Sequence, residues 1–182
     1  MKTLVGKWVM DPTHSTVSFS VRHLMISKVK GSFGAFKGEA DISENPSDST
    51  IAGIVDVTTI NTDDEARDGH LRSADFFDVE NYPTMSFITT EFESIDENQE
   101  FTLTGELTIK DVTRPVTFRG EFGGVSADGY GNTKAGLELT TKINRTDFGL
   151  TWNSTLETGG VLVGEEVTIT IDAQGVLQET ES

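Results

Sequence analysis

The chain contains no cysteine. A disulfide framework and a cysteine nucleophile are excluded together, and nothing in the fold depends on an oxidising compartment. Basic residues are scarce, with 14 Lys and Arg against 30 Asp and Glu for a net charge of −16. That balance argues against nucleic acid, which needs a basic footprint. It argues equally against electrostatic docking on anionic membranes, and it favours solubility. Only three histidines are present, His14, His23 and His70, and none stands at a metal-ligand spacing such as H-x-x-x-H. There is no G-x-S-x-G, and Gly159-Gly160-x-x-x-Gly164 is followed by a strand rather than by Lys-Ser/Thr, so no phosphate-binding loop is expected. No apolar run reaches the roughly 18 residues of a membrane helix. The start, M-K-T-L-V-G-K-W-V-M-D, lacks the apolar stretch of about 7–15 residues found in a signal peptide, which predicts a cytoplasmic protein.

What the chain does have is alternation. Val17, Phe19 and Val21 alternate with Thr16, Ser18, Ser20 and Arg22; Leu137, Leu139, Thr141 and Ile143 repeat the period, as do Val167, Ile169, Ile171 and Ala173. Lys7–Met10 reads as a first short strand and 11–15 as a turn. His23-Leu24-Met25-Ile26 fits either strand or tight apolar turn. Val29–Ile42 reads as one long strand kinked at Gly31, Gly34 and Gly38, and Ile51–Ile60 as the next. About eight antiparallel strands with strict alternation predict an all-β chain that closes into a barrel, because closure removes edges. One domain over 1–178 and a polar tail over 179–182 account for the length. A barrel of about eight strands fills with side chains or holds one small ligand.

Residues 101–122 give the most detailed expectation. Phe101, Leu103, Gly105, Leu107 and Ile109 share one face; Val116, Phe118, Gly120 and Phe122 share another. With D-V-T-R-P as the connecting loop, Ile109 faces Val116, Leu107 faces Phe118, Gly105 faces Gly120 and Leu103 faces Phe122. Two opposed inward glycines then mark a bend or leave interior space. Eleven phenylalanines, most at inward positions, tilt that choice towards a cavity.

Asn61–Phe87 holds the one convincing helix. Thr62 is an N-cap candidate with Glu65 completing a capping box, and Asp68 and Arg72 stand at i, i+4. The helix has only Ala66 and Leu71 as an apolar face, so it predicts a plug on something larger. Arg67 and His70 share a face, and two uses fit them: tying the helix to a barrel rim, or acid/base chemistry with His70 as the proton carrier and Arg67 as anion holder.

Ordered blocks across Trp8–Leu177 carry a family resemblance: D-P-T-H-S and V-R-H-L, K-G-S-F-G-A-F-K-G, R-D-G-H-L-R-S-A-D-F-F, Y-P-T-M-S-F, G-E-L-T-I-K-D-V-T-R-P-V-T-F, I-N-R-T-D-F-G and G-G-V-L-V-G. The chain resembles the YceI-like family of lipid-binding proteins. The resemblance implies an extended, lipocalin-like antiparallel barrel with a short α-helix near its mouth, and an apolar tunnel for a polyisoprenoid such as an isoprenoid quinone or its precursor. It implies a homodimer and no required cofactor beyond the bound lipid. Many relatives carry a signal peptide and work in the periplasm; this sequence departs from that pattern. Read onto that barrel, Phe19, Val21, Phe87, Leu103, Gly105, Leu107, Phe118, Gly120, Phe122, Leu139 and Ile169 form the tunnel wall. Arg22, His23, Arg67, His70 and Arg145 stand at the entrance for a headgroup, flanked by Phe76, Phe77 and Phe148. The expected function is non-enzymatic carriage or storage of a long isoprenoid lipid; the alternatives are an enzyme on a small lipophilic substrate or a structural, stress-response module.

Overall fold

The computed structural model describes residues 4–179; Thr180–Ser182 of the expected tail lie outside the described residues. In chain order the strands are β1 (Gly6–Met10), β2 (Thr16–His23), β3 (Ser27–Phe33), β4 (Phe36–Ile42), β5 (Thr50–Asp56) and β6 (Ile60–Asn61). The helix α1 (Glu65–Arg72) follows, then β7 (Thr84–Phe92), β8 (Glu100–Ile109), β9 (Val112–Ala127), β10 (Thr133–Asn144) and β11 (Val163–Leu177). Every pairing among them is antiparallel.

Strands β1, β4, β5, β7, β8, β9, β10 and β11 pair in that order, and β11 pairs back onto β1. The result is a closed eight-strand barrel, as the alternation predicts. The long strand β11 makes a second contact. Its last residues Gly175–Leu177 pair with β1, while Val163–Asp172 pair with β2. Strands β2, β3 and β6 therefore extend one end of the barrel as a flap. Between β3 and β7 no ladder runs among the described residues. A second small core fills that seam: Val17, Phe33, Val57 and Ile60 are buried there, with Leu71 of α1 and Phe77 packed against them.

Three local expectations change. The single strand over Val29–Ile42 is two, because β3 pairs with β2 while β4 pairs with β1, and the chain turns outward at Gly34-Ala35 between them. The expected capping box is absent: Asp64 caps α1 by accepting from the Arg67 N–H at 3.0 Å. Thr62 is instead buried, and Asp68 bonds to it rather than to Arg72, accepting from the Thr62 N–H at 2.9 Å and from its hydroxyl at 2.5 Å. Arg72 reaches back to the carbonyls of Thr58 and Ile60.

The third change is the β8–β9 register. Ile109 pairs with Val112, Leu103 with Phe118, Gly105 with Val116 and Phe101 with Gly120. The chain reverses over Lys110-Asp111, with Lys110 in the left-handed region at φ 57°, and the V-T-R-P that follows is strand rather than loop. Pro115 is tolerated because β9 pairs with β10 only from Arg119 onward, so at Pro115 the strand is laddered on one side. The slip is an even number of residues, so both apolar sets still face inward.

Candidate functional site

The closed part of the barrel encloses a chamber of about 210 Å³. Its wall is almost wholly apolar, and among the described residues Lys37 and Glu39 are the only charged ones on it. Phe87, Leu103, Leu107, Phe118, Phe122 and Leu139 line it from β7 to β10, with Phe87 and Phe118 edge to face at 5.3 Å between centroids. From β1, β4 and β5 come Trp8, Met10, Phe36 and two glycines, Gly38 and Gly53, and Met85 of β7 adds to the wall. These glycines are directly paired across β4 and β5. A Cβ on Gly53 would meet only the Lys37 carbonyl at 3.6 Å, so the space above it is open.

A second chamber, of about 220 Å³, lies at the flap end and shares Val17, Met85 and Ile169 with the first. Phe19, Val21 and Val29 line it from the flap, Leu71, Phe76 and Phe77 from the helix and the turn after it, and Leu150, Trp152 and Leu162 from the segment before β11. Among the described residues its charged or titratable wall residues are Arg22, His23, Arg67, His70 and Arg145, and none is an acid.

Most of those side chains have internal work. Arg145 is buried, and its guanidinium donates to the carbonyls of Leu150 at 2.6 Å, Gly164 at 2.8 Å, Trp152 at 2.9 Å and Val163 at 3.3 Å. Burial pushes it below its ordinary value and Glu165 works the other way; a guanidinium keeps its charge regardless. It thus pins the irregular segment 149–164 to the end of β10, which is what the block I-N-R-T-D-F-G is for. Arg67 donates to the Thr62 hydroxyl at 2.8 Å and to its carbonyl at 2.7 Å, tying α1 to the rim. His70 sits 2.8 Å from an Asp75 carboxylate oxygen, with its ring edge to face against Phe76 and Trp152. Arg22 stays exposed, and His23 is half-buried where β2 meets the start of β11.

A family model for the YceI-like domain matches residues 8–175. The chain belongs to the YceI-like family. It is 39% identical over 175 residues to a UPF0312 protein of Staphylococcus aureus (strain MSSA476), covering 94% of this chain and 98% of that one. Among solved structures it resembles a YceI protein of Campylobacter jejuni at 31% identity and TM-score 0.73, over 87% of this chain and 90% of the other. A polyisoprenoid-binding domain from Saccharophagus degradans, implicated in plant cell wall breakdown, shares the fold at 12% identity and TM-score 0.68, over 94% and 98% of the two chains.

For this YceI-like chain, the expected wall residues Phe19, Val21, Phe87, Leu103, Leu107, Phe118, Phe122, Leu139 and Ile169 all line a chamber. Gly105 and Gly120 do not. A Cβ on Gly105 would collide with the Ile88 carbonyl and the Phe87 ring, and one on Gly120 with the Phe101 ring. They give no open space because a neighbouring phenylalanine lies over each. Of the expected entrance residues, Phe76 and Phe77 line the second chamber, but Phe148 lies in the core at 2% exposure and lines neither. Gly38, Gly53, Met10 and Met85 go unassigned in the sequence reading. The period-two series Phe36, Gly38, Ala40, Ile42 and Ile51, Gly53, Val55 carried a signal for the glycines. Trp152 comes from an irregular segment, where no period points to it.

Proposed function

We propose that this protein binds a long isoprenoid lipid, with the tail in the two adjoining chambers and the headgroup at the flap end. The observation that carries this reading is the pair of chambers itself: an apolar interior whose lining arginines and histidines are gathered at the flap end. Each buried CH₂ contributes about 0.8 kcal/mol, so length and shape alone supply affinity for a tail. The polyisoprenoid-binding neighbour of the same fold supports the same ligand class.

The state of the cations favours a neutral, quinone-like head over a diphosphate. Arg145 and Arg67 already spend guanidinium donors on protein oxygens, which leaves no free pair of arginines to clamp phosphate. Arg22 and His23 provide isolated donors for quinone carbonyl oxygens, while the His70 Nε2 is engaged with Asp75. Carriage or storage, rather than turnover, is the role we infer; a homodimer is part of the same proposal. A second reading rests on His70 of the chamber wall, hydrogen-bonded to Asp75 outside it as an acid/base pair.

Native mass spectrometry of the purified protein, followed by organic extraction, tests the proposal. A stoichiometric adduct of several hundred daltons that extracts as an isoprenoid is the expected result. A bare chain that takes up no added isoprenoid quinone would overturn it. His70→Ala separates the two readings, since a carrier retains its lipid and an enzyme loses turnover.

A further inference from the structure

The hairpin joining β2 to β3 presents apolar side chains to water. Leu24 is 38% exposed, Met25 61% and Ile26 82%. Its backbone makes this more unusual. Leu24 at φ 52° and Met25 at φ 62° both occupy the left-handed region, which a tight turn ordinarily gives to Gly, Asn or Asp. Two bulky residues there cost stability that the fold does not recover by burying them.

The hairpin is nevertheless held in place. The Leu24 N–H donates to the Leu162 carbonyl at 2.9 Å, and the Ile26 N–H to the His23 carbonyl at 3.2 Å. Any side chain on Gly160 would collide with the Met25 sulfur, and Val161 beside it is 39% exposed. The base of this tip is wall of the second chamber, through Arg22, His23 and Leu162.

Charge around the tip runs against the rest of the chain. From Pro12 to Gly38 there is no Asp or Glu, although the chain holds 30. Arg22, Lys28 and Lys30 flank the tip, and all are exposed. From neighbouring elements the acids are Glu157, Glu165 and Glu166; Glu166 is paired with Lys142 at 3.0 Å and Glu165 accepts from Asn144 at 3.4 Å. The −16 of the whole chain conceals a local cationic rim around an apolar point.

We propose that this hairpin docks the protein on an anionic lipid bilayer. Leu24, Met25 and Ile26 enter the interface while Arg22, Lys28 and Lys30 meet the lipid phosphates. Docking so oriented sets the flap-end chamber against the membrane, the phase in which a long isoprenoid dissolves. The purpose of docking rests on the lipid-carrier reading; the docking itself does not. The charge pattern favours this occupant over a second copy, since a symmetric contact would bring two cationic rims together.

The test floats the full chain with vesicles of equal parts phosphatidylglycerol and phosphatidylcholine at low salt. The protein is expected to float with these vesicles, to ignore pure phosphatidylcholine, and to leave the surface at about 0.5 M salt. Ile26→Asp, and separately Lys28→Glu with Lys30→Glu, should each cut the bound fraction about fivefold or more. Both should take up isoprenoid quinone from detergent as the unaltered chain does. The proposal is overturned if the unaltered chain stays off anionic vesicles, or if Ile26→Asp floats equally well. It is also overturned if sedimentation shows that Ile26→Asp only splits a dimer. Intact flotation without quinone uptake would sink the carrier reading and leave the docking standing.

Discussion

The barrel has two walls built on inward-facing glycines, and they come out opposite. On the β4–β5 wall, Gly38 and Gly53 face each other, and the space over Gly53 stays open to the chamber. On the β8–β9 wall, Gly105 and Gly120 are each covered by a phenylalanine ring, Phe87 and Phe101. The difference lies in the partners. Phe101 is the direct cross-strand partner of Gly120, so its ring folds over the missing side chain. Gly53 is also paired with a phenylalanine, Phe87, but that ring leans towards Gly105. One aromatic cannot cover two glycines, and the one left uncovered becomes cavity. An inward glycine is therefore a hole only when no neighbouring ring claims it.

Substitutions at these positions should separate the walls. Gly105→Leu is expected to have the largest effect, a loss of more than about 3 kcal/mol in denaturant unfolding, because its Cβ meets the backbone of Ile88, which cannot swing aside. Gly120→Leu should cost less, about 1–3 kcal/mol, and Phe101→Leu should recover part of it, since there the obstacle is a ring. A Gly105→Leu protein as stable as the unaltered chain would show that the two walls do not differ in this way.

Gly53→Leu should leave the unfolding midpoint unchanged or slightly raised, because Gly within a strand costs about 0.5–1 kcal/mol relative to Ala. The same change should abolish uptake of long-chain quinone while sparing any short apolar probe in the flap-end chamber. Normal long-chain uptake by Gly53→Leu would mean that the tail does not use the first chamber.

The smallest effect belongs to the turn between β1 and β2. The Asp11 carboxyl, 15% exposed, accepts from the Thr13 hydroxyl at 2.7 Å and lies 2.9 Å from His14 Nδ1 and 3.3 Å from Lys134 Nζ on β10. Those hydrogen bonds, the Thr13 side chain first, hold its pKa well below the usual carboxylate range. The folded value lies under the unfolded one, so the stabilisation is complete above about pH 4 and drains away as pH falls below that. Asp11→Asn should lower stability at neutral pH and flatten the acid limb of a stability–pH curve below about pH 4, because the variant lacks the stabilisation that the ionised carboxylate supplies above that pH. An identical acid limb in both proteins would remove Asp11 from the account.

Most of the architecture was legible from alternation. The period of two assigns Leu103, Leu107, Phe118, Leu139 and Ile169 to the interior whatever the strand pairing, because parity survives any even slip. Partner identity was not legible, since it depends on where the chain reverses. Pro115 looked like the end of a loop, whereas the turn forms at Lys110-Asp111 and the proline sits on a one-sided stretch of strand. The glycine cavity was misassigned for that reason. Arg145 reads as an entrance residue; it lines the flap-end chamber, and its role as a clamp was not legible because the four carbonyls it bonds come from a segment without periodicity. The acid-free stretch around Leu24–Ile26 was present in the sequence and vanished into the average charge.

Strand β11 joins β1 at one end, β2 along the other, and β10 throughout. The ring therefore cannot shut until β11 has left the ribosome, and β1 waits for its partner while every strand between them is made. Pairing at such sequence separation places folding in the slow range, about milliseconds to seconds. During that interval the future interior is an open, curved apolar sheet. A lipid present at that moment need not enter through any opening; the wall can close around it. How the protein is first filled and how it later exchanges its cargo are thus two different kinetic problems.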